Sequence, residues 1–80
     1  MNSNKITPLN ITGKDLCIKI GVAYNGQILK ALRENGLVNF FKVGKKYMYP
    51  TEDAKKISDM LRSGEISIKV DGGYYITLNK

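Results

Sequence analysis

Apolar residues early in the chain recur at helical spacing. Leu16, Cys17 and Ile20 share one face of a short helix over 14–20, with Thr12 as its N-cap and Gly21 as its stop. Val22 then packs beneath a turn. Asn25 caps a second helix running to about Asn35, whose apolar stripe is Ile28, Ala31 and Leu32. Gln27, Lys30, Arg33 and Glu34 lie on its other side, and Gly36 takes the position just past its end. Two short helices joined by a tight turn, the second with a polar and basic outer face, make a helix-turn-helix pattern.

From Val38 to Tyr49 the pattern changes. Phe40-Phe41-Lys42-Val43 and Tyr47-Met48-Tyr49 are rich in aromatic and β-branched residues around Gly44-Lys45-Lys46, which predicts a β-hairpin turning near Gly44. Tyr47 and Tyr49 are expected to pack inward, while Phe40 and Phe41 cannot both face the core of an alternating strand. Pro50 closes the strand, and Thr51 is the expected cap of a third helix with Glu52 and Asp53 in its first turn, the favourable sign for the helix dipole. Ala54, Ile57, Met60 and Leu61 form its core face, and Ser63-Gly64 ends it. Ile66, Ile68 and Val70 then alternate with Ser67 and Lys69, Asp71-Gly72-Gly73 turns, and Tyr74 to Leu78 returns. A lone hairpin is marginal in water, so this one is expected to pack on the third helix or to extend the first hairpin's sheet.

The fold class is therefore a small α+β domain of order α-α-β-β-α with an added C-terminal β-hairpin. Residues 1–10 are expected to be a flexible N-terminal arm, 11–64 the main domain, and 65–80 a hairpin packed on it. Eighty residues allow one thin core, since a chain this short buries only about 60% of its unfolded surface.

Charge sharpens this picture. The net charge is +6, and all of the excess lies in residues 1–50, with eight basic residues against two acidic; residues 51–80 hold five of each. A basic half of this kind suits a polyanion, although solubilising charge has the same look. A single cysteine excludes a disulfide framework and fits a reduced, cytoplasmic setting. No stretch is apolar enough to span a membrane, and Met1 to Asn10 lacks the apolar run of a signal peptide. With no histidine, one cysteine and no carboxylate cluster, the sequence offers no metal site, no phosphate-cradling glycine motif and no imidazole acid–base pair, so neither a cofactor nor an enzyme is expected.

From Ile11 to about Leu61 the chain resembles the excisionase-type, MerR-like winged helix-turn-helix family of mobile genetic elements. The ungapped run Phe41-Lys42-Val43-Gly44-Lys45-Lys46-Tyr47-Met48-Tyr49-Pro50-Thr51-Glu52-Asp53 matches the family's strand, wing turn, aromatic return strand, proline and acidic helix start. Gly21-Val22 matches the glycine–hydrophobic pair of its helix-turn-helix turn. Ala23-Tyr24-Asn25 stands where the family usually places serine or threonine, and the terminal hairpin lies outside the pattern.

The resemblance implies a DNA-binding accessory or regulatory factor, excisionase-like in recombination or acting on transcription. Asn25, Gln27, Lys30 and Arg33 would then read the major groove, and Lys42, Lys45 and Lys46 would meet phosphates from the wing. Duplex DNA is favoured over single strands, and a homodimer, cooperative assembly on DNA or a protein partner such as an integrase is expected to add affinity. The alternative is a winged-helix protein-interaction subunit of a replication protein, a polymerase or primase partner assisting with single-stranded DNA. On that reading the strand around Tyr74, Tyr75 and Ile76 pairs with another chain.

Overall fold

The computed structural model describes residues 9–79, which form three helices and two antiparallel sheets. Most of the arm expected over 1–10 lies outside these residues. Its end is not loose, because Asn10–Thr12 forms a strand, β1. Three residues are too few to show an alternating pattern, so β1 left no mark in the sequence.

Helix α1 (Gly13–Lys19) begins one residue earlier than expected, with the Thr12 hydroxyl accepting from the Asp15 amide at 3.2 Å. Helix α2 (Gly26–Glu34) begins as expected: the Asn25 side-chain oxygen accepts from the amides of Gln27 (2.8 Å) and Ile28 (3.2 Å). Both helices end in the same way. After α1 the Val22 amide reaches back to the Cys17 carbonyl and the Gly21 amide to that of Ile18, with Gly21 at φ 89°. After α2, Leu37 and Gly36 repeat the arrangement onto Leu32 and Arg33, with Gly36 at φ 68°. These are Schellman ends, and each places an apolar residue, Val22 or Leu37, back against the core.

The buried stripe of α2 is Ile28, Leu29 and Leu32; Ala31, expected there, is only partly buried. Leu29 gains its place from Gly13, since a Cβ on Gly13 would stand 2.6 Å from Leu29 Cδ1. The bare backbone at the start of α1 lets the two helices close over that side chain.

Strands β2 (Phe41–Val43) and β3 (Lys46–Pro50) form the first hairpin. Only Gly44 and Lys45 separate the Val43–Lys46 pair, and Gly44 has φ 63°, the setting of a type II′ turn with glycine first. The hairpin is shorter than expected, because Val38, Asn39 and Phe40 lie outside its strands. Asp53 is the reason. Its carboxylate is 2% exposed and accepts from the Asn39 amide at 2.7 Å, which anchors this segment to the next helix. Asp53 stands in the first turn of the next helix, as expected, and is also a buried tether. Phe40 and Phe41 both remain about two-fifths exposed, at 42% and 40%.

β3 is the central strand of a three-stranded sheet ordered β1-β3-β2, with Ile11 opposite Tyr49. Helix α3 (Thr51–Ser63) follows without a loop. Thr51 is its first residue and Pro50 occupies the cap position, so Thr51 is not the side-chain cap; its amide donates to the Leu9 carbonyl at 2.9 Å. Ala54 and Ile57 are buried, Met60 and Leu61 pack on the core edge, and Gly64 (φ 86°) ends the helix.

Strands β4 (Ile66–Val70) and β5 (Tyr74–Leu78) form a separate two-stranded sheet. β4 packs on α3, as one of the two expectations had it, and β5 packs on α2, which neither foresaw. Ile66 and Ile76 carry that packing into the core. No helix among the described residues is long and apolar enough to cross a membrane.

Candidate nucleic-acid interface

The start of α1, the start and inner side of α2 and the first hairpin enclose a groove of about 550 Å³. Thr12, Gly13 and Lys14 form one end, Tyr24, Gly26, Leu29 and Arg33 one wall, and Lys45, Lys46, Tyr47 and Tyr49 the other. Four of these residues are cationic, three are tyrosines, and none is a carboxylate. Cations gathered around a concave surface focus a positive potential into it, which raises the local concentration of anions.

The inner wall is ordered by Arg33. Its Nη1 donates to the Tyr49 hydroxyl at 2.7 Å, and its guanidinium carbon lies 4.0 Å from the centroid of the Tyr47 ring and 5.9 Å from that of Phe40. Phe40 meets Tyr47 edge to face at 5.6 Å, and Lys42 Nζ stands 5.2 Å from the Tyr47 centroid. Each cation–π contact of this kind contributes about 0.5–1 kcal/mol where water still reaches it. Tyr49 is fully buried, and burial raises its hydroxyl above the ordinary 10.0, a shift that Arg33's hydrogen bond and charge offset only in part. The phenol therefore stays neutral at physiological pH and serves Arg33 as an uncharged acceptor.

The residues singled out in the sequence divide into two sets. Arg33, Lys45 and Lys46 come together on the groove, while Lys42 leans on the outer part of the same aromatic group. The α2 residues expected to read bases are otherwise engaged. Asn25 spends its side-chain oxygen on the helix cap, and the Gln27 carbonyl oxygen accepts from the Tyr74 amide at 3.0 Å, tying α2 to the second hairpin. Arg33 is folded onto the hairpin wall and does not stand out from α2. Lys30 alone of that set stays fully outward, 3.9 Å from Glu34 in an exposed pair of little energetic weight.

Of the three residues proposed for chain pairing, Tyr74 and Tyr75 are exposed, at 40% and 44%. The Ile76 side chain is buried against the core, because it shares a sheet face with Ile68 and Ile66, so only its backbone edge could meet a partner.

Lys14 and Tyr24 are the groove residues that the sequence reading missed. The charge imbalance of the first fifty residues includes Lys14, but only the packing of α1 beside the hairpin shows that it joins Lys45 and Lys46. Tyr24 had a weak signal, an exposed aromatic where the family pattern has a small hydroxyl residue. Compared with known protein families, curated proteins and solved structures, the chain matches none.

Proposed function

We propose that this chain is a small DNA-binding accessory or regulatory factor built as a winged helix-turn-helix with an added hairpin, and that it acts without catalysis of its own. The observation that carries the proposal is the groove in which Lys14, Arg33, Lys45 and Lys46 gather beside three tyrosines with no carboxylate among the lining residues. The helix-helix-hairpin-helix order and the residue pattern from Phe41 to Asp53 support the same reading. The contact surface is the groove and the hairpin tip, with the outer side of α2 contributing little, since Gln27, Asn25 and Arg33 have partners within the fold.

Binding then draws on the release of counterions from phosphates. Four cations on phosphates give a salt slope of roughly −3 to −4, so raising salt from about 50 to 200 mM weakens binding on the order of 100-fold. Fluorescence anisotropy with labelled duplex and single-stranded DNA across a salt series tests this. The paired change Lys45→Glu and Lys46→Glu is expected to remove most of the affinity and flatten the slope while leaving the melting temperature near that of the parent. Salt-independent binding, or unchanged binding in the pair, would sink the proposed surface.

A second reading, a protein-interaction subunit of a replication protein, is favoured by the second hairpin. Val70, Tyr74, Tyr75 and Leu78 are exposed there, and a two-stranded sheet leaves each strand one unpaired edge. Recovery of one stoichiometric partner, lost on Tyr75→Lys, together with no DNA binding by the isolated chain, would select this reading.

A further inference from the structure

One groove residue has no part in gathering phosphates. Tyr24 lies in the link between α1 and α2, just ahead of the Asn25 cap, and it is 63% exposed although it lines the groove. The other two tyrosines of the groove are occupied. Tyr47 carries Arg33 on its ring, and Tyr49 is buried with its hydroxyl held by Arg33. Among the described residues, Tyr24 has neither a ring partner nor a side-chain hydrogen bond. Its ring is thus open to a ligand in a groove that Lys14, Lys45 and Lys46 also line.

A flat, open aromatic among cations is the combination that takes up a nucleobase, because every base has a π-face and its flanking phosphates find the cations. In a duplex both faces of a base are covered by its stacked neighbours, so a ring at the mouth of a groove can stack only on a base freed from the helix. The groove also has the volume of a small-molecule site, about 300–1,000 Å³. On the outer side of α2, Lys30 alone of the four candidate base readers makes no contact with the cap, the hairpins or the rings. We infer that the groove takes a single nucleic-acid strand, one unpaired base stacking on Tyr24 while neighbouring phosphates rest on Lys14, Lys45 and Lys46. The inference rests on the phosphate-binding reading above and names the form of nucleic acid that this site prefers.

The chain contains no tryptophan, so Tyr24→Trp creates a single fluorescent reporter at the site. Titration with a short oligothymidylate is expected to quench its emission, with affinity close to that of the parent. Tyr24→Ala is expected to weaken binding to the same strand on the order of tenfold, the scale of one lost base–aromatic stack, with an unchanged salt slope. It should not weaken binding to a matching strand of abasic sites, which keeps the phosphates and lacks the bases. Tyr24 lies outside the core, so both variants should melt with the parent, and a circular dichroism melt checks this.

Equal losses on thymidylate and abasic strands, no loss on either, or an unquenched tryptophan would overturn the stacking role. Tighter binding of duplex than of single strand by the parent would overturn it too, while leaving the phosphate-binding reading in place. No binding of any of these nucleic acids at low salt would remove that reading and this inference together.

Discussion

Arg33 and Tyr49 constrain each other. The guanidinium needs an acceptor on a wall made of rings, and the buried hydroxyl needs a donor to replace water. Tyr49→Phe removes the acceptor without changing the shape of the core, and should cost about 1 kcal/mol while loosening Arg33 from the groove wall. The pH response has a definite sign. Tyr49 resists ionisation in the fold, so as pH rises through the ordinary 10.0 the unfolded chain loses this proton first and stability falls. Below that range the group contributes no pH dependence. Thermal melts of the parent and Tyr49→Phe from neutral to strongly alkaline pH should therefore differ less as pH rises above 10.0, because only the parent pays this penalty.

At the scale of the elements, the helix ends show which features could be read from sequence. Asn25, Gly21, Gly36 and Gly64 act within a few residues of themselves, and their chemistry is the same in any fold. Gly36 stands at φ 68° with open space around it, so Gly36→Ala should cost about 1–2 kcal/mol from backbone strain alone. Gly26 also has open space but sits in the first turn of α2 without a positive φ, and Gly26→Ala should stabilise by up to about 1 kcal/mol. Urea denaturation of the two variants, one methyl group apart from the parent in each case, should give shifts of opposite sign. The features hidden from sequence are those set by distant partners. Leu29 packs into the core where Gly13 has no side chain, and the buried Asp53 carboxylate accepts from the Asn39 amide. Gln27 looks like a reader of bases until β5 arrives beside it. For the same reason the cations of the hairpin tip were legible and their alignment with Lys14 was not.

For the whole molecule, the second hairpin is part of the core. Ile66 is 1% exposed between β4 and α3, so Ile66→Ala should cost about 2–5 kcal/mol, a large share of the stability of a domain this small. Val70→Ala, on the overhanging end of the same strand, should stay within about 0.5 kcal/mol. Thermal melts of the two would separate a hairpin that completes the core from one that merely decorates it.

The short strand β1 has a consequence for how the groove comes into being. Its pairing with β3, Ile11 opposite Tyr49, closes over both early helices and β2, whereas the other strand pairs among the described residues join neighbours in the chain. Local turns and helices form in microseconds, but a contact across such a loop must first meet the entropy of closing it. The newly made chain thus carries its positive charges well before it has a place to gather them. Lys14 stands beside the lysines of the hairpin tip only once this long-range pairing has formed, so the polyanion binding proposed for the groove would depend on it.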